Sequence, residues 1–159
     1  MILRLEQSDD LSCRLYRGFE ERIRRFAEKY DLTCPIDALL YEMKQRWFLS
    51  PGLAGYFIDY DPDSLALRGH LASWITTAYN QNRLYVYQLE VDAFGEVDLQ
   101  GMAAGVRGWI AGLNAQLPEG SRVARAEWTT WHSAETFKRY LERFGLSTIK
   151  LRTVLESDI

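Results

Sequence analysis

The segment RLYVYQLEVDAFGEVDLQGMAAGVRGWIAGLNAQLPEGSRVARAEWT, residues 83–129, decides the fold of this chain. Its two ends, 83–91 and 122–129, carry β-branched and aromatic residues in the pattern of strands. Between them, 99–117 has the apolar spacing of a helix. A parallel pair of strands needs a long crossover connection, and a helix is the usual one. The segment therefore predicts a parallel pair in a sheet otherwise built from hairpins.

The rest of the chain predicts two helices early and one late. Apolar residues recur every three or four positions from Leu11 to Tyr30, and again from Pro35, which suits the first turn of a helix, to Trp47. Further elements are strands at 2–6, 53–60, 65–79 and 146–155 and a helix at 133–144. The order β-α-α-β-β-β-α-β-α-β predicts a mixed α/β fold, with helices on both faces of one sheet and a single domain over 1–159.

A set of apolar residues from several elements is expected to form the core of this fold. The set comprises Ile36, Leu39, Leu40, Met43, Val86, Leu89, Phe137, Leu141 and Phe144.

Composition excludes several classes of function. Nineteen basic and 22 acidic residues give a net charge of −3, which lacks the positive field that dominates nucleic-acid binding. No apolar run approaches the ~18 residues of a membrane span. Cys13 and Cys34 form no CxxC motif, so we expect no metal site and interpret both as small buried residues. His70 and His132 have no ligand-like neighbours in sequence. We expect a cytoplasmic protein.

The segment FKRYLERFGLSTIKLRTVL, Phe137–Leu155, adds a resemblance to a known family. Together with the element order, it resembles the closing helix and strand of the Gcn5-related N-acetyltransferase (GNAT) family, with Gly145-Leu146 at the position of the family's Gly-aromatic pair. The chain is also similar to short, divergent GNAT-like proteins of tailed phages. If it comes from a phage, this resemblance implies a virion component. The resemblance covers nearly the full length and implies a GNAT-like fold and acetyl transfer from acetyl-CoA to an amine.

Two residues are the catalytic candidates that this resemblance implies. An ammonium with a pKa near ~10.4 must lose a proton before it attacks, so a base is needed. Glu90, near the end of the fourth strand, stands where the family often has its base, and alternation predicts that it shares a face with Leu84 and Val86. Tyr140 lies one residue before the position of the family's general acid. The alternatives are a solvated carboxylate and an ordinary packing residue.

The glycine-rich start of the third helix allows two interpretations. Gln100, Gly101, Ala103 and Gly105 align with the family's motif for holding the CoA pyrophosphate on free backbone N–H groups. Three acids lie just before it, Asp92, Glu96 and Asp98, and their charge opposes a phosphate. The other interpretation is close packing, because glycines at 101, 105, 108 and 112 form a smooth helix face. The favoured expectation is packing, with no cofactor; acetyl-CoA is the alternative.

Aromatic residues near the fifth strand suggest a contact surface. Trp128 and Trp131 cluster where, by the resemblance, the fourth and fifth strands separate, and they can fill that cleft, bind a protein partner or pack in the core. The favoured hypothesis is a GNAT-like domain without CoA chemistry, acting as a structural or protein-interaction module or homo-oligomer. The alternative is a CoA-dependent N-acetyltransferase.

Overall fold

A computed structural model describes residues 1–30, 35–78, 81–91 and 99–128, and four single helical positions, Glu135, Lys138, Arg139 and Glu142. The chain divides into two compact units, Met1–Thr129 and Thr130–Ile159. In the second unit the four described positions agree with the helix predicted at 133–144, and the Arg139 guanidinium lies 3.0 Å from the Glu135 carboxylate. The strand predicted at 146–155 lies outside the described residues. A single domain over 1–159 stays a prediction.

The first unit contains strands and helices in the predicted order. The strands are β1 (Ile2–Arg4), β2 (Ala54–Tyr60), β3 (Leu67–Ala78), β4 (Gln81–Val91) and β5 (Ala126–Trp128). The helices are α1 (Asp10–Tyr30), α2 (Ile36–Leu49) and α3 (Leu99–Asn114), with a short 3-10 turn at Glu119–Ser121.

The described strands form one sheet in the order β1-β2-β3-β4-β5. The first three pairings are antiparallel, whereas β4 and β5 pair in parallel, with Leu84 opposite Ala126 and Val86 opposite Trp128. Helix α3 connects these two strands along the chain. The parallel pair predicted from residues 83–129 is confirmed, and the fold is mixed α/β.

Each face of the sheet carries its own apolar cluster. On one face, α1 and α2 bury an aromatic-rich cluster that includes Phe19, Trp47 and Tyr56. On the other face, α3 packs Met102 against a cluster that includes Phe57 and Leu71. The prediction of helices on both faces is confirmed. Burying these side chains is worth roughly 1.5–3 kcal/mol each and is the main force that holds the layers together.

The predicted core is confirmed in part. Met43 and Val86 are buried. Ile36, Leu39 and Leu40 are half-buried at the edge of α2. The remaining members of the set have side chains outside the described residues, namely Leu89, Phe137, Leu141 and Phe144.

Strand β5 is shorter than the predicted 122–129. Val123 is buried but makes its backbone contacts with a side chain: its N–H donates to Oδ1 of Asn114 at 2.7 Å, and its carbonyl accepts from Nδ2 of Asn114 at 2.9 Å. The Asn114 amide therefore takes the place of a neighbouring strand. Strand β5 begins three residues later, at Ala126.

Helix α3 is held on the sheet by a close approach of Trp109 to Gly55. A Cβ atom at position 55 would lie 2.2 Å from the Trp109 ring. The indole Nε1 donates to the carbonyl of Gly52 at 3.2 Å, and the Arg4 guanidinium lies 5.1 Å from the ring centroid. Because the ring is bonded at one end and covered by a cation, it has little room to move. Only glycine at position 55 leaves space for it.

Gly55→Ala is therefore expected to lower the free energy of unfolding by roughly 1–3 kcal/mol, as overpacking does. Gly108→Ala is the matched control, since a Cβ at Gly108 would meet no atom within 4 Å in the part of the chain that the structure describes. It should stabilise the protein by up to about 1 kcal/mol through helix propensity. Urea denaturation of both variants measures the difference, and equal effects would contradict the packing described for Trp109.

Two buried tyrosines of the α1/α2 face allow a second comparison. The Tyr56 hydroxyl donates to the carbonyl of Met43 at 2.9 Å, whereas the Tyr16 hydroxyl has no hydrogen-bond partner among the described residues. Burial raises the pKa of both groups above the ordinary value. Each side chain therefore stays protonated through the alkaline range in which an exposed tyrosine ionises.

Tyr56→Phe should lower the free energy of unfolding by about 1 kcal/mol, since it leaves a buried carbonyl without its donor. Tyr16→Phe should be neutral or stabilising, because it removes a buried hydroxyl that satisfies no acceptor. Chemical denaturation at neutral pH compares the two. A larger loss for Tyr16→Phe than for Tyr56→Phe would be inconsistent with these contacts.

Candidate functional site

Strand β4 contains an extra residue at Tyr87. Ser73 of β3 pairs with Val86, and the preceding residue, Ala72, pairs with Gln88, so Tyr87 has no counterpart on β3. Such a bulge bends the strand, increases its twist and is over-represented next to active sites. It lies immediately after the three residues of β4 that pair with β5. This makes the centre of β4 the first candidate for a functional site.

The bulge changes the face on which the end of β4 lies. Leu84 and Val86 belong to the α3 cluster, but the register places Glu90 opposite His70. His70 is buried and packs edge-on against Phe19 of α1, with ring centroids 5.9 Å apart. Position 90 therefore lies on the α1/α2 face. The expectation that Glu90 shares a face with Leu84 and Val86 is wrong, because the extra residue at position 87 shifts the alternation by one.

The first turn of α3 is open to solvent on one side. Gln100 is exposed, whereas Ala103 is buried. The first turn contains no acidic residue, and the first N–H groups of a helix lack partners within the helix. Gly101 of this turn already has an interaction partner, and Gln100 is exposed beside it. The acids Asp92, Glu96 and Asp98, whose negative charge opposes a phosphate, lie outside the described residues.

The glycines of α3 have different roles. A Cβ at Gly105 would lie 3.2 Å from the Phe57 ring and 3.7 Å from a methyl group of Ile2, so this glycine permits close packing on the sheet. Among the described residues, a Cβ at position 108 or 112 would meet no neighbour within 4 Å. The packing interpretation is confirmed at Gly105 and is wrong for Gly108 and Gly112. The half-buried Gly101 lies with Gln100 in the first turn.

An aromatic cluster beside the bulge was missed from the sequence. The Trp74 ring stacks on Tyr87, with centroids 5.7 Å apart, and contacts Tyr85 at 5.1 Å. The Arg46 guanidinium of α2 lies 4.8 Å from the Trp74 centroid and bonds to the Glu42 carboxylate at 2.6 Å. All three rings are half-buried. We call Trp74, Tyr85 and Tyr87 the Trp74 cluster. The alternation of Tyr85 and Tyr87 was a visible signal, but their partner Trp74 required the β3–β4 register.

Other candidates lie partly or wholly outside the described residues. Tyr140 and Trp131 are outside them. Glu90 and Trp128 are described in their backbone only. Their predicted roles therefore stay predictions.

The structure also describes three further side chains. Cys13 is exposed, so its interpretation as a buried residue is wrong. Arg22 is buried and donates to the carbonyl of Leu67 at 2.7 Å, so it joins α1 to the sheet. Arg107 is exposed. Among the described residues no group of acidic, histidine and cysteine side chains is arranged to hold a metal ion.

The helices of the described part of the chain are too short or too polar for any of them to span a bilayer.

Comparison with known proteins defines the class of fold. AAC(6')-Iy in complex with the bisubstrate analogue CoA-S-monomethyl-acetylneamine is similar with a TM-score of 0.64 and 13% identity, covering 100% of this chain and 98% of that one. A putative acetyl transferase from Pyrococcus furiosus has a TM-score of 0.61 at 18% identity, covering 100% and 99%. Glucosamine-6-phosphate N-acetyltransferase from Arabidopsis thaliana has 0.59 at 15%, covering 99% and 98%. The chain has a GNAT-like acetyltransferase fold.

Sequence comparison adds no further relative. No protein-family model matches the chain, and no curated protein matches it in sequence. The likeness is therefore one of fold.

Proposed function

We propose that this protein is a CoA-dependent N-acetyltransferase that acts on an amine. The observation that carries the proposal is the Tyr87 bulge in β4, next to the parallel β4-α3-β5 crossover, in a fold shared with acetyltransferases. One of these neighbours is described in complex with a CoA bisubstrate analogue. For this chain the proposal replaces the expectation of a domain without CoA chemistry.

The first turn of α3 is the proposed binding site for the CoA pyrophosphate. The positive end of the helix dipole favours an anion, and the turn carries no carboxylate of its own. The exposed Gln100 would contact the pyrophosphate there, next to Gly101, which already has an interaction partner. Ala103 and Gly105 act indirectly, since Ala103 is buried and Gly105 packs on Phe57 to set the position of the helix.

Glu90 is the proposed general base. Acetyl-CoA supplies an activated thioester, whose C–S bond breaks as the acceptor nitrogen forms the new C–N bond. An amine with a pKa near ~10.4 is protonated at neutral pH, so a carboxylate near the acceptor has to take its proton. Register places Glu90 on the α1/α2 face, three residues beyond the bulge. Tyr140 is the proposed acid that returns a proton to the CoA thiolate.

A non-catalytic interaction module is the second candidate. One observation favours it: Phe48, Leu49 and Leu53 are exposed at the connection from α2 to β2. Exposed apolar groups of this kind often mark contacts between proteins. Under this candidate, Trp128 and Trp131 belong to the interface with a protein partner or second copy, cytoplasmic or in a virion. This candidate expects no stabilisation by acetyl-CoA.

Gln100→Glu separates the two candidates, because the added charge should stabilise the free protein but weaken the binding of acetyl-CoA. A carboxylate in the first turn should raise the free energy of unfolding by about 0.3–1 kcal/mol through the helix dipole. The same charge should weaken acetyl-CoA binding several-fold by repelling the pyrophosphate. Thermal denaturation with and without acetyl-CoA measures both quantities.

Gln116→Glu is the control for this experiment, since Gln116 is exposed just beyond the other end of α3. It should leave acetyl-CoA binding unchanged. Wild-type protein in a hundredfold excess of acetyl-CoA over Kd should gain about 2.7 kcal/mol. If millimolar acetyl-CoA leaves the wild-type melting temperature unchanged, the interaction module is the better account.

Glu90→Gln should lower kcat by ~10²-fold without changing stability, as expected when a general base is lost. The remaining activity should rise with pH as the acceptor amine loses its own proton. Glu119→Gln, at an exposed position in the 3-10 turn, is the control. The assay is acetyl transfer to a panel of amines over a range of pH. Full activity of Glu90→Gln at neutral pH would assign the base elsewhere.

A further inference from the structure

Two half-buried tryptophan rings of the first unit are each covered by an arginine guanidinium. The Arg4 guanidinium lies 5.1 Å from the centroid of Trp109, and the Arg46 guanidinium lies 4.8 Å from the centroid of Trp74. A cation over an aromatic face is attracted by the ring quadrupole, by roughly 0.5–1 kcal/mol at exposed sites. The two contacts are similar in geometry, so the difference between them lies in how each arginine is held.

Arg4 is fixed by several elements. Its guanidinium donates to the carbonyls of Pro51 and Ala54 at 2.7 and 3.0 Å and to the Glu6 carboxylate at 2.8 Å. Burial lowers its pKa. Moving Arg4 off its ring would break bonds that join β1 to the start of β2. The contact of Arg4 with Trp109 therefore stabilises the fold and is not open to a competing cation.

Arg46 is held differently. Its guanidinium bonds to Glu42, one turn earlier on the same helix, and both side chains are substantially exposed, at 37% and 55%. A pair of this kind is worth only about 0.3–0.5 kcal/mol. The pair also survives if the guanidinium leaves Trp74, because both partners belong to α2. A second cation can therefore take the place of Arg46 on the ring at low cost.

The ring that Arg46 covers lies beside the proposed active site. Trp74 stacks on Tyr87, the bulge residue, and Glu90 is three residues further along β4. At ~3.3 Å per residue, the backbone at position 90 is about 10 Å from the backbone at position 87. The Trp74 cluster and position 90 both lie on the α1/α2 face. A ligand with two amino groups separated by an alkyl chain spans this distance.

We propose that the acceptor is an alkyl diamine or polyamine, whose non-reacting ammonium displaces Arg46 from Trp74 and binds the Trp74 cluster. The inference rests on the proposed function, since it names the class of acceptor for that site. The charged group of the acceptor binds at Trp74 and Tyr87, and the other nitrogen is presented towards position 90. Arg46 competes with the acceptor for the ring.

Cation binding can be measured without acetyl-CoA. The probes are choline and its uncharged isostere 3,3-dimethylbutan-1-ol, and the readout is the indole N–H signal of Trp74 in nitrogen-15 NMR, assigned by its loss in Trp74→Phe. Trp47 and Trp109 serve as internal references, since their indole N–H groups donate to the carbonyls of Leu5 and Gly52. Choline should shift the Trp74 signal, and the uncharged isostere should not.

Arg46→Met should tighten choline binding and lower KM for 1,5-diaminopentane by roughly two- to fivefold each, the factor expected when a competing cation is removed. The kcat value should not change. Arg17→Met is the matched control, because Arg17 forms the same type of exposed pair with Glu21, on α1. Tyr87→Leu should abolish choline binding and raise KM for the diamine, but not for pentylamine. If the Trp74→Leu variant folds, it should have the same effects as Tyr87→Leu.

The outcomes separate this inference from the proposed function. If acetyl-CoA binds and pentylamine reacts as well as the diamine, the inference is wrong and the proposed function stands. An unchanged or weaker choline affinity in Arg46→Met also contradicts the inference. Choline binding without acetyl transfer to any amine contradicts the proposed function, and with it the assignment of the cation as part of an acceptor.

Discussion

The Trp109 ring lies where a side chain at position 55 would have to be, and the placement of α3 depends on this contact. Gly55 is in β2, whereas α3 joins β4 to β5. The contact therefore holds α3 against β2. The Arg4 guanidinium covers the ring, and the Gly52 carbonyl binds its N–H group. Helix α3, held in this way, connects β4 to β5, and these two strands pair in parallel. The same contact fixes the position of the first turn of α3, and with it the anion site proposed there.

The fold was predictable because its main signals are local. A strand, a helix and a strand within residues 83–129 require a crossover, and the stripe of Phe19 and Ile23 on α1 identifies the buried side of that helix. The start of β5 was less predictable, because Val123 obtains its backbone partners from the Asn114 side chain. No pattern of apolar residues reports such a contact. The spacing also treated Gly105 and Gly108 alike, although of these two only Gly105 has a neighbour within 4 Å among the described residues.

The site was less predictable than the fold, because it depends on register. The letters RLYVYQLEV alternate without a break, so nothing in them marks position 87 as an extra residue. The bulge exists only relative to β3, where Ser73 and Ala72 pair with Val86 and Gln88. For the same reason, Trp74 and Tyr87 are far apart in sequence and stack in the fold. A bulge and a cross-strand contact both depend on how two strands pair. The sequence of one strand does not contain that information.

The bulge also brings the proposed base and the Trp74 cluster to one side of the sheet. Without the extra residue, Glu90 would follow the alternation of Leu84 and Val86 and lie on the α3 face. With it, Glu90 is opposite His70, on the face that carries Trp74 and Arg46. Helix α3, with the anion site proposed at its first turn, lies on the other face. The bulge bends β4 just beyond its last pair with β5, and under the proposed function this is where an acceptor on one face would meet the CoA group on the other.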